Sequence, residues 1–525
     1  MPAQLRFGGG LNQLDDELIH PEECIDGENF ELETEARHFH SRASFDLKGT
    51  ATNAGVIRGI MQLVKRDNSE TTLVQSSELV YLWDGAASFT AKTPTASTPV
   101  NTNSLLRGTY WSLDDLLIIT DVSGLSPVWQ WNGTTMTEMV HGITGVEELF
   151  AKYSVVWQNR AWLFNIQTVT SGGGSSLNPH MILASEYENY DNYDNAVTPT
   201  GTSLTFSDPF FLLSPDLKPI NGVATFFDSI VISTVDGKLF RLTGNDATDY
   251  AISEYYSGSA AIGMESLINI GNDILYTRIG GKVERLSATD QYGDTAADDV
   301  SRKIPTEVVD LASALSVYDQ RKQRVCFFTS NKILVLDKFA METSELSPWA
   351  KWTTQMASNL DVEAATFMKR PGLETYSIYF GGPSGQVYDY AGSGTSDAGT
   401  TLIKTYRKTG LVKILDTMNA FVEGRITYRR KGVVEFNMEF EWTDEYADTL
   451  SVVPLKDTVT SPGTFFWGSG ANPAYWTGDY YWNEGGVLDR VSTVGFSAVG
   501  KGPSFFLTTT VNTTNDWLIN DIETT

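Results

Sequence analysis

Cysteine is almost absent from this chain. There are two in 525 residues, Cys24 and Cys326, and neither has a second thiol a few positions away. A disulfide framework or a thiolate zinc site cannot be built from them. Histidine is scarce as well, with five in the whole sequence. His38 and His40 fall on the same side of an extended segment, but no third ligand accompanies them, so an exposed strand pair is the expected meaning and no metal is expected. Long apolar runs are also missing. No window approaches the roughly 18 to 20 residues of a membrane helix, and the opening MPAQLRFGGGLNQLDDE has no apolar core of signal-peptide length. A soluble product of the cytoplasm is the expectation. Basic residues are in deficit, 38 against 65 acidic ones, for a formal net charge of -27. Such a surface stays soluble and repels nucleic acid over most of its area.

Signatures of common chemistry are missing too. The chain contains no GxxxxGK[ST], GxSxG, HExxH or EF-hand loop. The triplet Gly8-Gly9-Gly10 permits sharp bends, but it does not follow a strand and open a helix as a phosphate loop would. Asp290, Asp294, Asp298 and Asp299 cluster, as do Asp191 and Asp194 among tyrosines. A glycosidase would hold two such carboxylates about 5 to 10 Å apart, but among 65 acidic residues clusters of this kind arise by chance. No catalytic residue and no cofactor is expected, and the chain is read as a non-enzyme.

What the sequence does contain is a recurring pattern. With 41% hydrophobic and 12% aromatic residues there is ample material for a packed interior. In the stretch 221–242, NGVATFFDSIVISTVDGKLFRL, three short runs rich in Val, Ile, Phe and Thr are separated by a Phe-Asp-Ser corner and by Asp236-Gly237, the chemistry of a tight hairpin. The same meander recurs at intervals of roughly 45 to 60 residues, the spacing of propeller blades. IRGIMQLV, TTLVQSS and ELVYLWDG make the first, and LLRGTYWS, DDLLIITD and SPVWQWNG the second, closed by Asn132-Gly133. AKYSVVWQ, NRAWLFNI and HMILASEY make the third, interrupted by a Gly/Ser loop at 171–176 read as a flexible surface excursion. The fifth is MESLINIG, NDILYTRI and GKVERLS; the sixth ALSVYDQ, QRVCFFTS and KILVLDKF; the seventh VEAATFMK, YSIYFGG and GQVYDYAG.

The reading is therefore all-β: a β-propeller of about six or seven blade-like meanders over 57–395, preceded by an N-terminal acidic arm (1–56) and followed by a C-terminal β-sandwich-like platform domain (396–525). A pair of β-sandwich domains is the competing reading. Sialidase-type and WD-type propellers are disfavoured. The Ser-x-Asp-x-Gly-x-x-Trp box is absent, and a Trp-Asp ending occurs only at Trp83-Asp84.

Opposite charges flank the meanders. Asp15, Asp16 and Glu17 open an acidic segment that runs to residue 35, whereas Arg425, Arg429, Arg430 and Lys431 close a basic one that starts at Lys404. The two are expected to meet as an assembly interface, within the platform or across a subunit boundary. Between the last strands lies FFWGSGANPAYWTGDYYWNEGG, whose Trp467, Tyr475, Trp476 and Trp482 form either a packed aromatic corner or a platform for glycan stacking.

The opening FGGGLNQLDDELIHPEECIDGENFELE, with its Gly-Gly-Leu-Asn, acidic pair and later Asn29, resembles the start of the tail nozzle or tail-tube tip proteins of short-tailed bacteriophages. TYRKTGLVKIL before FVEGRITYRRKGVVEFNMEFEW is similar to the strand pair that follows their propeller, and the layout corresponds over the whole chain. The aromatic stretch 467–482 and the Glu-rich arm depart from that pattern. The resemblance implies a structural virion protein of the tail, made in the host cytoplasm: a homo-oligomeric ring, most simply a hexamer, fixed below portal-adaptor proteins, neighbouring tail fibre proteins, and extending or closing the channel for genome ejection. Double-stranded DNA would pass without specific binding. An acidic wall would repel it over about 8 to 10 Å at physiological salt, while the basic cluster at Arg425–Lys431 would face a protein neighbour. A receptor- or glycan-binding propeller tail protein contacting the host surface is the alternative, and a virion polysaccharide-degrading enzyme the third.

Overall fold

In a computed structural model, the chain is described apart from residues 1–2, 6–8, 15–18, 21, 34–37, 86, 88, 92–99, 195–209, 246–248, 258–260, 262, 279, 288–296, 355–361, 391–395, 399–400, 410–411, 414–418, 432–433, 445–446, 460–486, 501–503, 513–516 and 525, with backbone alone at 3–5, 33, 38–41, 91, 210, 257, 264, 287, 297, 396, 401–402, 404, 406 and from 408 onward. The short apolar runs are strands, and they pair with their sequence neighbours because the intervening turns are too short for anything else. Glycine closes several of these turns at positive φ, among them Gly85 at 92°, Gly133 at 94° and Gly237 at 90°. An L side chain is disfavoured there.

Seven four-stranded antiparallel sheets result. Blade 1 is Ile57–Val64, Glu70–Ser76, Leu79–Trp83 and Thr90–Ala91. Blade 2 is Leu106–Trp111, Leu116–Asp121, Trp129–Trp131 and Met136–Glu138. Blade 3 is Val146–Trp157, Arg160–Thr170, Ser175–Ala184 and Phe210–Leu213. Blade 4 is Ile220–Phe226, Ser229–Thr234, Lys238–Thr243 and Ala251–Ser257. Blade 5 is Leu267–Asn269, Asp273–Thr277, Val283–Ser287 and Ala297–Asp299. Blade 6 is Leu315–Asp319, Arg324–Phe328, Ile333–Asp337 and Trp349–Trp352. Blade 7 is Ala365–Lys369, Tyr376–Gly381, Gln386–Tyr390 and, from far upstream, Phe45–Thr50.

The first strands of the blades touch in a closed cycle: blade 1 on blade 2, and so on through blade 7 back to blade 1. This is a seven-blade β-propeller. Its core is distributed between the sheets, because each sheet has two apolar faces and covers both only by having a neighbour on each side. Leu73, Trp129 and Trp131 fill the space between blades 1 and 2. Trp111, Leu163 and Tyr193 fill that between blades 2 and 3. Trp162, Phe164 and Phe240 join blades 3 and 4, and Phe226, Tyr276 and Leu286 join blades 4 and 5. Where the ring closes, Trp83 of blade 1 meets Tyr379 of blade 7 edge-on, with ring centroids 5.4 Å apart.

The chain divides into two compact units: Leu47–Asn331 with Ser358–Tyr390, and Met1–Asp46 with Lys332–Ala357 and Ala391–Thr525. These limits differ from the 1–56, 57–395 and 396–525 division expected from composition. Phe45–Thr50 is a blade strand, because the fourth strand of blade 7 has to come from somewhere other than the meander that precedes it. The Gly/Ser stretch also departs from expectation: Ser175 and Ser176 are in a strand, opposite Val169 and Thr168, and the turn itself is shorter.

Outside the propeller, strands that precede it in sequence interleave with strands that follow it. One six-stranded sheet runs Phe30–Glu33, His38–Ser41, Trp517–Thr524, Asn419–Lys431, Val487–Gly500, with Ala3–Leu5 also on Trp517–Thr524. A second runs Cys24–Glu28, Lys404–Thr409, Ser504–Asn512, Val434–Asp444, Ala447–Val459, with Val412–Lys413 also on Ser504–Asn512.

Closure leaves no slack between blades 7 and 1. A Cβ on Gly381 would lie 2.3 Å from the Ile57 Cβ, both rigidly attached to backbone. Gly381→Ala is expected to destabilise the protein by about 1 to 3 kcal/mol in urea denaturation. Gly172→Ala, where a Cβ meets nothing within 4 Å, should be neutral.

Candidate functional site

Two clusters of charged side chains stand out, one in each unit. The first is where the acidic arm docks. Gly10 approaches so closely that a Cβ there would sit 2.0 Å from the Trp349 carbonyl oxygen; its N–H donates to Ser347 O at 2.7 Å, and Leu11 N–H to Trp349 O at 2.7 Å. The triplet's use is therefore close backbone approach. The buried Glu23 carboxylate accepts from Asn12 Nδ2, from His20 N and from Ser347 N. Such a group is tolerable inside because its oxygens have donors.

Asn29 is the corner of this site. It sits at φ 59° between Cys24–Glu28 and Phe30–Glu33, turning the chain from one six-stranded sheet to the other. Asparagine accepts the left-handed conformation more readily than other L residues. Its Oδ1 accepts from Thr353 N at 2.7 Å and from Arg42 Nε at 2.8 Å. Arg42 in turn grips Asp397 with both terminal nitrogens, Nη1 to Oδ1 at 2.9 Å and Nη2 to Oδ2 at 2.5 Å, and donates to Thr353 O at 2.8 Å. Both side chains are essentially inaccessible to water, and the guanidinium lies 4.0 Å from the centre of the Phe45 ring.

The arm also pairs with the start of the basic segment. Cys24–Glu28 runs antiparallel to Lys404–Thr409, with Asp26 opposite Lys408 and Glu28 opposite Tyr406. Arg407 is buried there and donates to Gly9 O and Glu22 O. Cys24 is sealed in as well. Burial pushes its thiol up to about 11, against the opposing pull of Arg407.

Other anticipated residues fall elsewhere. Asp15, Asp16 and Glu17 lie outside the described residues, as do Asp290, Asp294, Trp467, Tyr475, Trp476 and Trp482. Arg425, Arg429, Arg430 and Lys431 are in the strand Asn419–Lys431, where Arg425 is in register with Glu523 on one side, and Arg429 with Asp489 on the other. His38 and His40 are in a strand, in register with Glu33 and Glu31. Among the described residues, no group of three or more His, Cys, Asp or Glu is placed to hold a metal ion. Asp194 accepts from the backbone N–H and the hydroxyl of Thr144. Asp191 is half-buried, and that burial, with Asp114 and Glu186 nearby, raises its carboxyl. Asp299 accepts from Ser301 and pairs with Lys282 at 3.3 Å.

The second cluster was not anticipated, and it lies where the first strands of the blades converge. Arg107 of blade 2 donates from Nε to Glu265 Oε1 at 2.7 Å. Glu265 belongs to the 3-10 turn Met264–Ser266 that leads into blade 5. The same guanidinium donates to the carbonyl of Arg58 in blade 1 at 2.7 Å and to that of Glu363, ahead of blade 7, at 2.9 Å. Arg58 Nε lies 3.3 Å from Glu363 Oε2, and Ser316 Oγ of blade 6 donates to the Glu265 carbonyl at 2.6 Å. The signal in the sequence was the repeat Ile57-Arg58-Gly59 and Leu106-Arg107-Gly108, an arginine at the same place in two successive first strands. The glycines allow the close packing: a Cβ on Gly59 would lie 2.9 Å from the Leu106 carbonyl oxygen.

Arg42 and Asp397 form a bidentate ion pair shielded from water. Arg42→Ala or Asp397→Ala should each cost about 3 to 5 kcal/mol, the price of a buried charge left alone. Urea denaturation of the two single variants and the double should show the double costing clearly less than their sum.

No protein-family model and no curated protein matches the chain. Among solved structures it is similar to YCF48 from Cyanidioschyzon merolae, at 11% identity over 66% of this chain and 98% of that one, with a TM-score of 0.37. It is likewise similar to BBS1N, in the crystal structure with ARL6DN, at 11% identity over 66% and 96%, TM-score 0.37. For the WD40 β-propeller domain of Doa1 the values are 9% identity over 66% and 96%, TM-score 0.37. These likenesses concern fold alone, and no activity is carried over from them. The chain's own strand pairing defines it: an all-β protein built on a seven-blade β-propeller.

Proposed function

We propose that this protein is a structural component of a tailed-phage virion, a tail nozzle or hub ring that extends or closes the DNA ejection channel. The observation that carries the reading is the layout: a propeller stands between two stretches of chain, 1–44 and 396–525, that together weave two six-stranded sheets. That is the arrangement of the proteins its opening resembles, and the resembling residues Gly10, Leu11, Asn12 and Asn29 are those that dock the arm. A part that withstands ejection needs its docked arm held firmly. A buried ion pair and a buried carboxylate with three donors do that here.

In this reading the protein is not an enzyme. It assembles with copies of itself, most simply as a hexamer, and takes portal-adaptor and tail fibre proteins as neighbours. DNA passes without being held, since phosphate contacts would add friction with each cation that engages them, and the surplus of acidic residues keeps the duplex at a distance.

Negative-stain imaging of the purified protein should show rings. Titration with duplex DNA at low salt should show binding no tighter than the non-specific range, weakening further as salt rises. A protein that stays monomeric and retains glycan would instead support the receptor-binding alternative, and reproducible glycan cleavage would support the enzymatic one.

A further inference from the structure

We infer that the axis of the propeller is braced across its width, so that the propeller is a closed wheel and not itself a passage. Blades 2 and 5 are three places apart in a ring of seven, as far apart as two blades can be. A direct bond, 2.7 Å long, between Arg107 in the first strand of blade 2 and Glu265 in the turn that leads into the first strand of blade 5 therefore spans the centre. The span is anchored at both ends. Arg107 holds the carbonyls of Arg58 and Glu363 on its own side, while the Glu265 backbone is held by Ser316. Five of the seven blades meet in this one network, and Arg58–Glu363 adds a second ion pair between blades 1 and 7.

Most bonds around the ring join adjacent blades, such as Gln62 of blade 1 to Lys369 of blade 7 and Gln158 of blade 3 to Gly244 of blade 4. Bonds of that kind resist separation of neighbours but leave the centre open. Arg107–Glu265 resists ovalisation of the whole ring, and it places two side chains where anything threading the axis would have to pass. Arg107 and Glu265 are each about one-fifth accessible, 18% and 23%. The pair is thus screened from water but not sealed, and its contribution is the geometric one of a strut. The consequence for transport rests on the nozzle reading above. If copies form a ring, the route for DNA lies between copies, past the closed wheels.

The brace is tested by charge reversal in the full-length protein, independently of any ring. Arg107→Glu and Glu265→Arg singly should each lower the thermal midpoint by about 3 °C or more, and the double variant should recover at least half of the combined loss. If a reversal does not fold, Arg107→Lys and Glu265→Gln, with their double, supply the same cycle on a smaller scale. Strictly additive losses, or singles that match the parent, would overturn the brace. Ring reconstructions then test the route: the opening should lie on the ring axis with each propeller centre filled, and DNA density along a propeller axis would refute it. Absence of rings would sink the nozzle reading and leave the charge-reversal result standing.

Discussion

A sheet with two apolar faces cannot be stable alone in water, and the propeller follows from that constraint. Each of the seven sheets buries one face on the sheet before it and the other on the sheet after it, so the array has no good end except a return to its beginning. Closure is where the constraint is sharpest. Trp83, Tyr379 and Val387 pack there, and Gly381 is a glycine because Ile57 occupies the space that a Cβ would need. The last blade takes its fourth strand from Phe45–Thr50, which ties the first residues of the propeller to its final sheet. Opening such a ring exposes two large apolar faces at once, which makes local loss of one blade costly to all.

The second unit solves a different problem, holding distant stretches of chain together. The strands of its two six-stranded sheets come from both sides of the propeller in sequence. Bringing such strands together carries a loop-closure entropy that grows only slowly with the length enclosed, so a few well-made contacts suffice. Arg42–Asp397 is one of them. A bidentate ion pair shielded from water is specific about geometry, and it is tolerable because Asn29, Ala43 and Thr353 occupy the remaining donors of the guanidinium. The same segment places Glu23 and Arg407 in the interior with polar partners around them.

Much of the fold was legible from local pattern. About six or seven meanders could be read from alternating Val, Ile, Phe and Thr between Asp-Gly and Asn-Gly turns, since strand pairing across a two-residue turn is decided within a dozen residues. The strand from Phe45 to Thr50 was not legible as a blade element, because its partner lies more than three hundred residues away and nothing in FDLKGT announces it. The charged sites were harder. His38, His40 and the aspartate clusters drew attention by type and spacing, yet Asp194 and Asp299 serve nearby backbone and hydroxyl donors. Arg58 and Arg107 drew none, although each precedes a glycine in a repeated setting.

By itself, then, the sequence determined the β class and a repeat of about six or seven meanders. Both depend on composition or on contacts close along the chain. Tertiary structure alone decided where the ring closes, how the arm docks and which charges meet. An arginine in one first strand and a glutamate three blades on are separated by 158 positions in the chain. Only a seven-fold closed ring brings them across a common axis, and no local property of either residue carries that number.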